Sequence, residues 1–380
     1  MDRYSMFGLD EPKLEPLDES VELWTQSVLS TISAGRLKSD VYALPAPRNR
    51  LHSPEAMERA DEMILQAFRE AGWTVDYRYY ELKNGVGFVD YEKGRFPAGT
   101  KPAIYREIAG ANVLGIKEGR ASRDTIIVGA HHDTIRDSPG ADDNTASIAA
   151  LMELARVLAP YSFRDTIMLA AFDMEEIGRF GSTALVKQLS QERTIKAAIV
   201  FETMSYIDDT PDTQLVPKGL RLFYSQQAER MRQRKFAGDW TLVIYRNSSA
   251  DLAQAFGTGL AHVAGAHVPM LMRDPVDLTI VKRVLRYVVP FVNNFGRSDN
   301  YSFWEAGIPA IMITDTANFR NPNYHQPTDT PETLDYNRLA EIVAATAVTL
   351  AQLAGLITPI DSQSAHSSAT AEYALNHTRG

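Results

Sequence analysis

The chain has 380 residues, 44% of them hydrophobic and 23% charged, a composition that excludes disordered, collagenous and fibrous classes. Its 39 Lys plus Arg against 48 Asp plus Glu give a formal charge of -9, which argues against general nucleic-acid binding, because neutralising phosphates needs a basic face. With no cysteine, disulfide frameworks, thiolate zinc sites, iron–sulfur clusters and cysteine nucleophiles are excluded, so any metal must be held by His, Asp or Glu.

The first twenty residues are acidic and Pro-interrupted, with no basic start leading into an apolar run, and nothing further along reads as a membrane span. The expectation is a cytoplasmic protein that neither crosses nor anchors to a membrane. Residues 1–50 read as an N-terminal helical extension, since Val21, Leu23, Trp24, Val28, Leu29 and Ile32 recur near helical period. Ser53-Pro54-Glu55 opens a second helix with Met57, Ala60, Met63, Ile64 and Phe68 on one face, stopping near Gly72. Residues 74–82 and 111–119 read as strands.

From Asp124 the pattern becomes apolar strand, turn, helix, repeated: strands at 124–130, 165–172, 196–202 and 307–316, helices at 144–158, 181–189 and about 335–354. The fold class expected is α/β: a three-layer α/β/α domain with a mostly parallel, mixed central sheet. It would occupy residues 51–360, with a lid-like insertion at 207–297 and a flexible tail at 361–380. The insertion carries a basic stretch, Lys218, Arg221, Arg230, Arg232, Arg234 and Lys235, read first as a solvated helix face. The insertion and the N-terminal extension are the surfaces offered for oligomerisation.

Five clusters stand at or just beyond strand ends: residues 130–134 (AHHDT), 140–147 (GADDNTAS), 173–178 (DMEEIG), 201–206 (FETMSY) and 321–330 (NPNYHQPTDT). Singly each is a common turn or cap. Jointly, acids and imidazoles at the carboxyl ends of one sheet would repel unless cations or protons compensated them, and ligands of open α/β sheets bind at that end.

This combination resembles the co-catalytic di-zinc exopeptidases, which include bacterial zinc aminopeptidases, glutamate carboxypeptidase and, more distantly, glutaminyl cyclases. The resemblance covers about residues 110–350 and implies a phosphorylase/hydrolase-like fold and two Zn²⁺ per chain. It implies that His131 binds one zinc, that Asp143 bridges both, that Glu176 and His325 complete the other, and that Glu202 is the fifth ligand. It further implies that Glu175 is the general base, that Asp133 holds the His131 imidazole, that Tyr324 stabilises an oxyanion, and that the Asp143–Asn144 peptide is cis. His132 alternates to the opposite face and reads as structural.

Two positions depart from the family pattern. Glu202 stands where aminopeptidases usually carry Asp, so its carboxylate reaches about one bond further. Ser298-Asp299-Asn300 replaces Ser-Asp-His, which assigns Asn300 to pocket shape rather than metal. The function expected is zinc-dependent hydrolysis of peptide or amide bonds, with a peptide or small amide as the partner molecule, by an aminopeptidase. The alternatives are a carboxypeptidase or small-peptide amidohydrolase, for which Arg297 and Arg320 would meet a terminal carboxylate, or glutaminyl-cyclase-like acyl transfer, against which His131 argues. A non-catalytic relative is disfavoured by a full set of competent side chains.

Overall fold

The computed structural model describes residues 9–17, 19–89, 101–278 and 289–357; the predicted tail at 361–380 lies outside them. Helices α1 (Glu19–Leu29), α2 (Ala34–Ala43) and α3 (Pro54–Glu70) precede the long strands β1 (Thr74–Phe88) and β2 (Pro102–Lys117). The alternating part follows: β3 (Thr125–His131), α4 (Ala146–Leu158), the short β4 (Ser162–Phe163), β5 (Thr166–Phe172), α5 (Phe180–Leu189) and β6 (Ile195–Phe201). Then come α6 (Leu220–Phe223), α7 (Ser225–Gln233), β7 (Thr241–Tyr245), α8 (Ala250–Ala264), β8 (Pro269–Arg273), α9 (Asn300–Glu305), β9 (Ala310–Thr314), α10 (Tyr336–Leu353) and β10 (Leu356–Ile357).

Eight strands form one sheet in the order β1-β2-β5-β3-β6-β9-β7-β8. The central four, β5, β3, β6 and β9, are parallel, while β2 and β7 join them antiparallel on either side. Side chains of each central strand alternate between two cores. Ile126, Val128 and Ala130 of β3 enter one, with Ile148, Leu151 and Leu154 of α4; Ile127 enters the other, with Leu185 and Leu189 of α5. Burial on both faces explains the continuous apolar runs and the three layers. No helix among the described residues is long and apolar enough to cross a membrane.

Two boundaries of the expected domain plan fall differently. The N-terminal helices are part of the core, since Val28 of α1 and Leu37 and Val41 of α2 share a cluster with α4 and α10. Leu23 and Leu29 are exposed, so the buried stripe of α1 is narrower than its apolar spacing suggests. Ser53 makes no capping bond, and α3 starts on Pro54 alone. Within the predicted insertion, β7 pairs with β9, and Leu252, Phe256 and Leu260 of α8 pack in the core that holds Leu339, Ile342 and Val343 of α10. Residues 241–273 are therefore sheet and cover rather than lid. Half of the insertion's basic stretch is paired: Arg230 with Glu11, Arg232 with Glu229, and Arg234 with Asp239.

Candidate metal centre

The parallel strands deliver their last residues to one edge of the sheet. His131 ends β3, Glu175 and Glu176 follow β5 by three and four residues, and Glu202 comes directly after β6. Asp143 sits in the irregular turn at 141–145 that leads into α4, and the Asp143–Asn144 peptide is cis. Gly140 begins this turn at φ 61°, and a Cβ there would lie 2.3 Å from the Asp143 carbonyl oxygen, so only glycine fits. Asp329 fixes the turn from below: its Oδ1 accepts from Asp142 N at 3.0 Å and its Oδ2 from Asp143 N at 3.2 Å. Met174, Thr203 and His325, each beside or within the site, all hold positive φ without being glycine.

The five carried-over ligand positions converge as two clusters that meet at Asp143. His131 Nε2 lies 3.2 Å from Asp143 Oδ1 and 3.3 Å from Glu202 Oε2. His325 Nε2 lies 3.0 Å from Asp143 Oδ2 and 3.5 Å from Glu176 Oε2. Glu202 thus turns inward despite its extra methylene, and Ser298 Oγ donates to its Oε2 at 2.6 Å.

Asp133 has a wider part than holding an imidazole. His131 Nδ1 faces its backbone oxygen at 3.1 Å, with Oδ1 at 3.5 Å. Its carboxylate accepts the backbone N–H groups of Glu175 (3.0 Å, Oδ1) and Glu176 (3.2 Å, Oδ2), clamping the turn that presents both acids. His132 points away into a buried network, Nε2 against Asp61 Oδ1 at 2.8 Å and Nδ1 against the Phe172 carbonyl at 2.6 Å. Arg50 ties Asp61 to Asp173 at the base of the Glu175 turn. Asn300 donates to the Phe295 carbonyl at 3.0 Å and makes no contact with the clusters, consistent with shaping the 295–300 segment. Tyr324 stacks on the His325 ring at 3.9 Å between centroids.

Electrostatics mark a site with more negative charge than the chain's own cations cancel. Burial, with Glu202 and Asp299 nearby, raises the proton affinity of Glu175 well above the usual carboxylate range, although His131 and Arg179 oppose it. Burial and Asp143 do the same to Glu176. Asp299, buried beside Glu202 and Asp133, is pushed up to about 7. Burial alone would lower His131, but Glu202, Asp133 and Asp143 raise it well above its ordinary value.

The residues fit zinc on two further counts. His131 Nε2, both Asp143 oxygens, Glu176 Oε1 and His325 Nε2 are buried without a hydrogen-bond partner, an arrangement that needs a ligand to explain it. The separations of 3.0–3.5 Å lie at or slightly below the roughly 3.3–3.6 Å between donors that stand about 2.0–2.2 Å from one tetrahedral ion. Nitrogen and carboxylate donors without thiolate remain within zinc's range.

Such donors at the carboxyl edge of an open α/β sheet make a candidate metal centre of two clusters. The model of Peptidase family M28 matches residues 112–254 and 276–350, more than half of the chain, and the chain belongs to that family. It is 31% identical over 237 residues to the uncharacterized protein YfbL of Escherichia coli (strain K12), a match covering 59% of this chain and 66% of that one. It is 35% identical over 92 residues to aminopeptidase YwaD of Bacillus subtilis (strain 168), covering 24% of this chain and 20% of that one. Both matches span less than two thirds of the relative's length. The fold is similar to that of an aminopeptidase from Aneurinibacillus sp. strain AM-1, with TM-score 0.61, 15% identity, and coverage of 87% of this chain and 96% of that one.

Sequence reasoning did not single out Asp329, although it stands in the last cluster, nor the contact of Ser298 with Glu202. The signal for Asp329 was an acid four residues after His325 in a Pro-rich loop. Arg50 and Asp61 left no local signal, because their partners lie far along the chain.

Proposed function

We propose that this chain is a zinc-dependent exopeptidase, an aminopeptidase that holds two zinc ions and frees the N-terminal residue of peptides or small amides. The observation that carries this reading is the pair of donor clusters sharing Asp143, one oxygen to each, with Glu175 lining the same cavity. His131 and Glu202 would hold one ion, Glu176 and His325 the other, and Asp143 both. Bound there, the ions would supply Lewis-acid activation of water and of the scissile carbonyl. Glu175 takes a proton from the attacking water on its carboxylate and delivers it to the leaving nitrogen. Tyr324 accepts from Arg297 Nη2 at 3.3 Å, which leaves its own O–H to donate to the oxyanion. Asp133 touches no reacting atom and acts as a positioning residue. The proposal extends to a cytoplasmic setting, which cell fractionation checks.

The test is a substrate series on zinc-loaded protein, with and without chelator: a free dipeptide, its N-acetylated form and an N-terminal Gln peptide. Cleavage of the free dipeptide alone, lost with chelator and restored by zinc, is the expected result. Preference for the N-blocked form would replace the reading with a carboxypeptidase. Ammonia release from the Gln peptide without chain cleavage would replace it with a cyclase.

A further inference from the structure

The cavity that opens on the two clusters has a volume of about 470 Å³. Much of its wall is apolar, with Met231, Trp240, Leu242, Ile244, Met272 and Met312 all buried. Arg297 breaks that character. It directly precedes Ser298, the hydroxyl donor to Glu202, and its side chain is exposed and lines the cavity. Arg179, also in the wall, is turned to its own neighbours: its Nη1 donates to the Gly296 and Arg297 carbonyls and its guanidinium covers the Tyr301 ring.

Among the described residues, every hydrogen-bond partner of Arg297 is neutral. Nη1 donates to Asn318 Oδ1 at 3.1 Å and more weakly to Asn294 Oδ1 at 3.5 Å, while Nη2 donates to the Tyr324 hydroxyl at 3.3 Å. A guanidinium has five N–H donors, so Nε–H and one Nη2–H remain without an acceptor among the described residues. These two atoms share one edge of the guanidinium plane, the fork that matches the two oxygens of a carboxylate. Tyr324, then Glu202, Glu175 and Asp143, raise its pKa against burial, but none of these carboxylates forms an ion pair with it. The fork is also close to the chemistry, since Tyr324 bridges it to the ring of His325.

We propose that Arg297 binds a carboxylate carried by the leaving residue, so that the preferred substrates of this site are short peptides with a free C-terminus one residue past the scissile bond. Dipeptides are the simplest of these, and the cavity volume is in the range of small-ligand pockets. This inference rests on the aminopeptidase reading above.

The experiment compares Leu-Phe, Leu-Phe amide and Leu-Asp amide as substrates of the zinc-loaded wild type and of Arg297→Gln and Arg297→Lys. In parallel, calorimetry measures binding of the reduced-amide analogue of Leu-Phe, which cannot be cleaved, as the acid and as the amide. The expected result is an acid-over-amide preference of about 10- to 100-fold, set mainly in KM and in analogue affinity, that collapses to near unity in Arg297→Gln and survives partly in Arg297→Lys. Preference for Leu-Asp amide over Leu-Phe amide would place the bound carboxylate on the side chain and still support Arg297 as its partner. Equal affinity of wild type for the acid and amide analogues, or a preference unchanged in Arg297→Gln, overturns the proposal. If no substrate is cleaved, the aminopeptidase reading fails while the binding arm still decides the role of Arg297.

Discussion

Asp142 and Asp143 are adjacent and both buried, yet their oxygens meet opposite surroundings. Asp142 Oδ1 accepts from Ser205 N at 3.0 Å and Oδ2 from Asn321 Nδ2 at 2.8 Å. Its neighbour Asp315 accepts from Tyr206 N and Ala317 N, and burial beside Asp142 pushes Asp315 well above the usual carboxylate range. Asp143 receives no hydrogen bond on either oxygen and faces only two imidazole nitrogens. At the amino end of the same sheet, Asp165 is cancelled in a third way, by Arg164 and Lys196. Burial of an acid is therefore not what marks a site. The mark here is a buried acid that the chain meets with two imidazole nitrogens in place of amide N–H donors, guanidinium or ammonium.

The largest expected effect separates Glu175 from the acids around it. Glu175→Gln keeps the backbone bond to Asp133 and should retain zinc, while kcat falls by about 10²- to 10⁴-fold. Metal content and steady-state kinetics on one preparation check this, and activity near wild type removes Glu175 as the base.

Next comes the adjacent pair itself. Asp143→Ala should bind less than one zinc equivalent, because it strips one donor from each cluster. Asp142→Ala should keep both equivalents at saturating zinc but lose about 2–4 kcal/mol of stability, since it strands the Ser205 N–H and the Asn321 amide. Zinc stoichiometry and urea midpoints on both variants decide the matter. If Asp142→Ala loses metal as completely as Asp143→Ala, the distinction between scaffold and ligand collapses.

Much of this division was legible in the sequence. Strands β3, β5, β6 and β9 announced themselves as apolar runs ending in acids or His, and all five proposed ligand positions stand in the clusters at or beyond those ends. The edges were harder to read. β7 and β8 are five-residue, nearly all-buried segments, and so short an apolar run has no periodicity to separate strand from buried helix. β1 runs on to Phe88 through Asn84-Gly85, normally a turn signal: Asn84 takes a left-handed φ of 54° and drops out of the pairing, which resumes with β2 at Gly85. Asp133 was placed beside His131 by spacing alone. Its grip on the Glu175 and Glu176 N–H groups depends on β5 lying beside β3, a tertiary fact with no trace in local sequence.

The smallest effect concerns the acid that the chain neutralises by itself. Arg164 holds Asp165 below its ordinary pKa, burial works against that, and Lys196 adds to the lowering. A folded-state value below the unfolded one gives stability that is present above the unfolded value, about 3.9, and is lost as pH falls through the folded value. Both cationic partners are substantially exposed, so solvent screening limits the contribution to about 1 kcal/mol or less. Asp165→Asn should therefore unfold slightly earlier than wild type at neutral pH, and the gap should narrow steadily below about pH 4. Denaturation midpoints across that range test it. A gap that stays constant down to acid pH would mean that Asp165 acts through its hydrogen-bond geometry and not its charge, and the contrast with Asp143 would then rest on metal binding alone.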